Sequence, residues 1–177
     1  MVRVNEPEYI GDQGGGYVGG GSSGGGTWGT ITGTLSSQAD LQAALDAKQD
    51  DVVRTTANAT TGTITPGASD NIPITIPKSC DILKIATNYP AWVVLYNTAA
   101  SRSADAARAA SIDPATGSGI MAEVITTSTK LTIPMSPVPV FVNDDTTPAD
   151  VAYLKVQNYD GVSRAITVTI TFARREA

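Results

Sequence analysis

The clearest pattern in the chain is an alternation near its end. Arg164, Ile166, Val168, Ile170 and Phe172 fall on one face of an extended segment, and Ala165, Thr167, Thr169 and Thr171 on the other. A period of two predicts a half-buried strand. Shorter runs of similar Thr, Val and Ile texture, broken by Gly, Pro, Asn and Asp, predict strands at 61–65, 72–76, 80–87, 91–96, 119–126, 130–135, 138–142 and 151–157. Eight or nine short strands in this space read as a C-terminal antiparallel β-sandwich or jelly roll over residues 54–177. The stretch 99–111, rich in Ala and Arg, interrupts the pattern and is expected to be a loop with room for a short helix.

Two different textures precede the β region. Residues 36–50 are helix formers: Ser36 or Ser37 can accept the unpaired N–H groups of a first turn, and Asp40 then suits the positive helix end. The expected element is one short helix within 36–53, with Leu41 and Leu45 as its apolar stripe. An isolated helix of that length is marginal in water. It needs the body of its own domain, or two further copies around a three-fold axis, in which case Leu41 and Leu45 are the trimer contact. Residues 1–35 form a Gly-rich arm, with 12 of the chain's 17 glycines between Gly11 and Gly33. Tyr9, Tyr17 and Trp28 punctuate it and read as anchors for pockets on a partner, the plain alternative being a linker.

Composition narrows the chemistry. At 177 residues the chain suits one domain with extra length. It has no His and a single Cys, so histidine-based nucleophile systems, His-containing zinc sites and internal disulfides are excluded. A net charge of −5 with scattered Lys and Arg argues against nucleic acid as a partner. The N-terminus, with Glu6, Pro7 and Glu8, lacks the basic start and apolar run of a signal peptide, and no stretch approaches a membrane span. The expectation is a protein made in a cytoplasm, with no membrane insertion.

Individual motifs add little chemistry. Gly14, Gly16 and Gly19 fit a dinucleotide fingerprint by letter, but the spacing needs a strand before it and a helix after it, and both flanks are Gly-rich arm. Asp144, Asp145 and Asp150 could hold a cation, although a solvated Asn-Asp-Asp turn is the commoner use of such residues. Cys80 reads as a small core residue, and Asn58-Ala59-Thr60 matches a glycosylation acceptor that carries no weight without a secretory signal. Trp92 and Tyr96 share one face of a strand, as core packing or as a sugar-stacking surface. Arg102, Arg108, Arg174 and Arg175 are expected to solvate loops and the chain end. No constellation points to catalysis, so the expectation is a non-enzyme without cofactor or metal.

The segment Thr27-Trp28-Gly29-Thr30-Ile31-Thr32-Gly33-Thr34-Leu35-Ser36-Ser37-Gln38-Ala39-Asp40-Leu41-Gln42-Ala43-Ala44-Leu45-Asp46-Ala47-Lys48 resembles a run found in tailed-bacteriophage fibre proteins, W-G-x-I-T-G-x-L-S-x-Q-x-D-L-Q-x-A-L-x-x-K. There it joins a virion-attachment arm to the shaft or head of a trimeric fibre. The resemblance covers about an eighth of the chain. It implies a virion structural protein that is a homotrimer, docked on other virion proteins through the arm. Its β domain would be displayed for attachment to a host surface glycan or receptor. Tail fibres, head fibres and neck appendages share the run, so a capsid decoration (head-fibre) protein and a tail or baseplate adaptor are the alternatives. The chain has no internal repeat and no shaft, which favours a stubby projection over a long fibre.

Overall fold

A computed structural model describes residues 53–175. The arm at 1–35 and the helix expected within 36–53 therefore lie outside the described residues, apart from Val53. The β region is a sandwich of two antiparallel sheets. One contains β1 (Arg54–Ile64), β9 (Arg164–Arg174), β3 (Ser79–Thr87) and β6 (Thr132–Pro134) in that order, with β7 (Val140–Val142) also paired to β3. The other runs β2 (Ser69–Ile74), β8 (Ala152–Asn158), β4 (Ala91–Tyr96) and β5 (Ile120–Ile125). A short helix, α1 (Ala99–Ala104), lies between β4 and β5.

The pairings are nested: β1 with β9, β2 with β8, β3 with β6 and β7, and β4 with β5. β6 and β7 oppose different parts of β3, Lys84–Ala86 and Ser79–Asp81, so together they act as one interrupted strand. The chain is thus one long antiparallel hairpin, its apex between β4 and β5, wrapped so that its pairs fall alternately in the two sheets. That is jelly-roll wiring.

Side-chain alternation places the core between the sheets. Ile166, Val168, Ile170 and Phe172 of β9 face inward, as do Val93 and Leu95 of β4 and Leu154 and Val156 of β8. Phe141, Ile82 and Ile85 fill the β3 side. β1 begins well before the expected strand at 61: its first half is held by pairing with β9, and its inward positions there are the small Ala57 and Ala59, opposite Ile170 and Val168. Its register shifts between Thr60 and Thr63, where the Ile166 N–H donates to the Thr61 hydroxyl at 2.9 Å.

Candidate functional site

All six residues of β4, Ala-Trp-Val-Val-Leu-Tyr, are buried. A strand apolar on both faces needs cover on both. Ala91, Val93 and Leu95 pack into the sandwich, whereas Trp92, Val94 and Tyr96 form a second cluster on the outer face with Ala110, Ile120 and Tyr153. The connection from β4 to β5 supplies part of that cover. α1 starts where the Thr98 hydroxyl accepts from the Ser101 N–H at 3.0 Å. The chain returns to β5 through Gly119, whose φ of +72° suits glycine.

A set of polar bonds fastens this connection to the sheet. Lys155 of β8 and Glu123 of β5 flank Val94 in one cross-strand row. The Lys155 ammonium donates to the carbonyls of Asp105, Ala106 and Arg108 at 3.1, 2.8 and 2.9 Å, which uses its three protons. Arg108 Nε donates to both Asp105 oxygens at 2.9 and 2.8 Å, and its Nη1 and Nη2 donate to Glu123 at 3.2 and 3.0 Å. Trp92 Nε1 donates to Glu123 Oε1 at 2.8 Å, and the Tyr96 hydroxyl to Asp105 Oδ2 at 2.6 Å. Both cations also lie over the Trp92 ring, Arg108 at 5.0 Å and Lys155 at 4.8 Å from its centroid.

The titration behaviour of the cluster follows from these contacts. Burial, then hydrogen bonding to Asp105, raises Tyr96 above the ordinary phenol range. Burial works against the charge of Asp105, but the hydrogen bonds from Tyr96 and Arg108 outweigh it and hold the carboxyl below the usual aspartate value. For Arg108, burial is likewise outweighed by the bonds to Glu123 and Asp105, so its charge is reinforced. Burial pulls Lys155 below the ordinary lysine range. Every acid and base here is engaged by a neighbour, so the arrangement works as a clamp that fixes the apex of the hairpin against the sheet.

The clamp corrects one expectation. Arg108 does not solvate a loop: its side chain is 6% exposed and joins two carboxylates. Arg102 is also half-buried, over the Tyr153 ring at 5.4 Å, with Nη1 donating to the Ile72 carbonyl at 3.3 Å. Arg174 and Arg175 do sit in solvent-accessible pairs, with Asp150 at 3.6 Å and Asp81 at 2.8 Å. Trp92 and Tyr96 are fully buried, so the sugar-stacking alternative is ruled out for these rings in this structure. Sequence reasoning did not single out Lys155, Glu123 or Asp105. The available signal was the unbroken apolar run of β4, which demands a lid on the outer face.

The remaining candidates are dispersed. Asp145 accepts from the Tyr153 hydroxyl at 2.7 Å, Asp150 accepts from the Lys78 N–H at 2.9 Å, and Asp144 is exposed. Among the described residues no group of three His, Cys, Asp or Glu side chains is placed to hold a metal ion. Cys80 is fully buried, and burial, then the Asp81 charge, pushes its thiol up to about 12. Asn58 and Thr60 lie exposed on β1. Tyr9, Tyr17, Trp28, Leu41 and Leu45, with the glycines at 14, 16 and 19, lie outside the described residues. Among the described residues no helix is long and apolar enough to cross a membrane.

A groove of about 270 Å³ opens where β1 begins and β9 ends. Ile76, Pro77 and Phe172 contribute apolar surface, Thr55 and Thr75 flank it, and Asp150 and Arg174 add charge. No protein-family model matches the chain, and no curated protein matches it.

Proposed function

We propose that this protein is a structural virion component of a tailed bacteriophage: a short trimeric fibre whose residues 1–35 dock on the particle and whose jelly roll is displayed outward for host-surface attachment. The observation that carries this reading is the segment Thr27–Lys48, which matches the fibre-type run at nearly every position. Two features support it. The order of arm, helix-forming segment and β domain suits attachment, assembly and display in turn, and jelly-roll wiring recurs in viral capsid and lectin domains. The clamped apex gives the displayed domain a surface held in one shape.

The test is immunogold electron microscopy of intact virions with antibody against residues 54–177. Label at the tail tip is the expected result. Label over the head makes the protein a capsid decoration or head-fibre protein, and label at the neck or baseplate an adaptor. Virions carrying no label overturn the reading. A second check is deletion of residues 1–26, which should leave the β domain folded but absent from purified particles; normal copy number would defeat the docking role of the arm.

A further inference from the structure

The connection from β4 to β5 is a loop with a neck. The Asn97 N–H donates to the Gly119 carbonyl at 2.9 Å, so the two ends of segment 98–118 meet. The backbone hydrogen bonds of the segment close within it, as from Asp105 to the Ser101 carbonyl, Arg108 to Asp105, Ile112 to Ala109 and Ser118 to Ala115. A segment built this way can leave the sheet without breaking a strand ladder.

Little apolar contact holds it down. α1 buries no residue, Ile112 is 60% exposed, and of the segment's apolar side chains Ala110 alone joins the cluster of Trp92, Val94 and Tyr96. Yet those three side chains are fully buried beneath it. What crosses from segment to sheet is chiefly polar: the three carbonyls on Lys155, Arg108 on Glu123, Asp105 on Tyr96, and Arg102 on the Ile72 carbonyl.

The charges balance only while both acids are ionised. Asp105 is faced by Tyr96 of β4, Arg108 of the segment and Lys155 of β8, and Glu123 of β5 by Arg108, Lys155 and the Trp92 indole. Two cations thus meet two carboxylates. With the carboxylates protonated, Arg108 and Lys155 stay charged, at 5.0 and 4.8 Å from the Trp92 ring centroid and without a counter-charge under the cover. Like charges held out of water without partners are costly, and lifting the segment hydrates them.

We propose that residues 98–118 are an acid-released lid: loss of charge on Asp105 and Glu123 lets the segment swing out on its Asn97–Gly119 neck while the sandwich stays folded, uncovering Trp92, Val94 and Tyr96 as one apolar strip on the outer face. Burial opposes the charge of Asp105, but the bonds from Tyr96 and Arg108 outweigh it and hold the carboxyl below the usual aspartate value. Its contribution is therefore complete at neutral pH and is lost as the pH falls below about 4, which sets where the lid opens.

The test uses full-length protein carrying Trp28→Phe, which leaves Trp92 as the only tryptophan. Acrylamide quenching of Trp92 fluorescence and far-UV circular dichroism are followed from pH 7 to pH 2. Quenching is expected to rise about fivefold below pH 4 while the β signal is retained. Trp92 that stays shielded until the dichroism itself collapses would overturn the lid. Pulse-labelled amide exchange should place the step in residues 98–118 with β4 and β8 still protected; loss of protection in those strands in the same step would make it global unfolding and sink the proposal. Asp105→Asn with Glu123→Gln should leave Trp92 as quenchable at pH 7 as the native protein is in acid, and a folded double variant whose Trp92 stays shielded counts against the charge latch. Where the double variant does not fold, the titration of the native clamp decides.

Discussion

Lys155 occupies a β8 position whose alternation points away from the core, where a lysine ordinarily reaches water. Instead it is 3% exposed and satisfies three carbonyls of the β4–β5 connection, those of Asp105, Ala106 and Arg108. Lys155→Met would fill similar space but leave those carbonyls without their donor. The expected loss is about 3 kcal/mol in denaturant unfolding, with faster amide exchange concentrated at residues 105–112. Asp105 supplies a pH signature. Its folded value is depressed, so as the pH falls below about 4 the unfolded chain takes up the proton first and stability drains away. Asp105→Asn should be less stable than the native protein at neutral pH, with the gap in urea midpoint narrowing as the pH drops from about 4; a constant gap from pH 7 to pH 3 would mean that the charge contributes nothing. Residues of this kind are the hardest to read from sequence. Lys, Asp and Arg are usually solvated, and only the three-dimensional meeting of β8, β5 and the connection gives Lys155, Asp105 and Arg108 their partners.

Among the elements, legibility followed side-chain size. β9 was plain because Ile166, Val168, Ile170 and Phe172 alternate with threonines, and each of the four is buried. The first half of β1 was missed because Thr55, Ala57 and Ala59 present no large apolar contrast, and the strand exists there through its pairing with β9. The stretch 99–111 reads as a loop with room for a short helix; α1 takes its first six residues and ends where Asp105 enters the clamp. The return from α1 to β5 depends on Gly119. A Cβ at that position would run into the Asn97 Oδ1 and the Ser101 side chain, in a backbone region that other residues rarely adopt. Gly119→Ala is therefore expected to destabilise the fold by about 2 kcal/mol, read as a lower urea midpoint with unchanged slope. A midpoint within error of the native protein would show that the junction yields.

For the whole molecule, strand number and spacing make the sandwich class readable, with the jelly roll as one of its forms, whereas the strand order that settles the form is not, because it depends on contacts between distant segments. The proposed trimer has a test at this scale: if Leu41 and Leu45 form its contact, Leu41→Asp with Leu45→Asp lowers the solution mass from three chains to one, and light scattering that still reports three copies would move the trimer contact elsewhere. The position of β9 has one further consequence. It lies between β1 and β3, and joins hydroxyls as distant in sequence as Thr60 and Thr167, 107 residues apart. On a translating ribosome, β1 and β3 would therefore wait side by side with a vacant slot between them until the segment from Arg164 onward emerges. Synthesis of the domain up to β8 yields hairpin fragments with open edges, and the sheet that holds β1 and β3 is completed only when β9, the last strand of the sandwich, emerges.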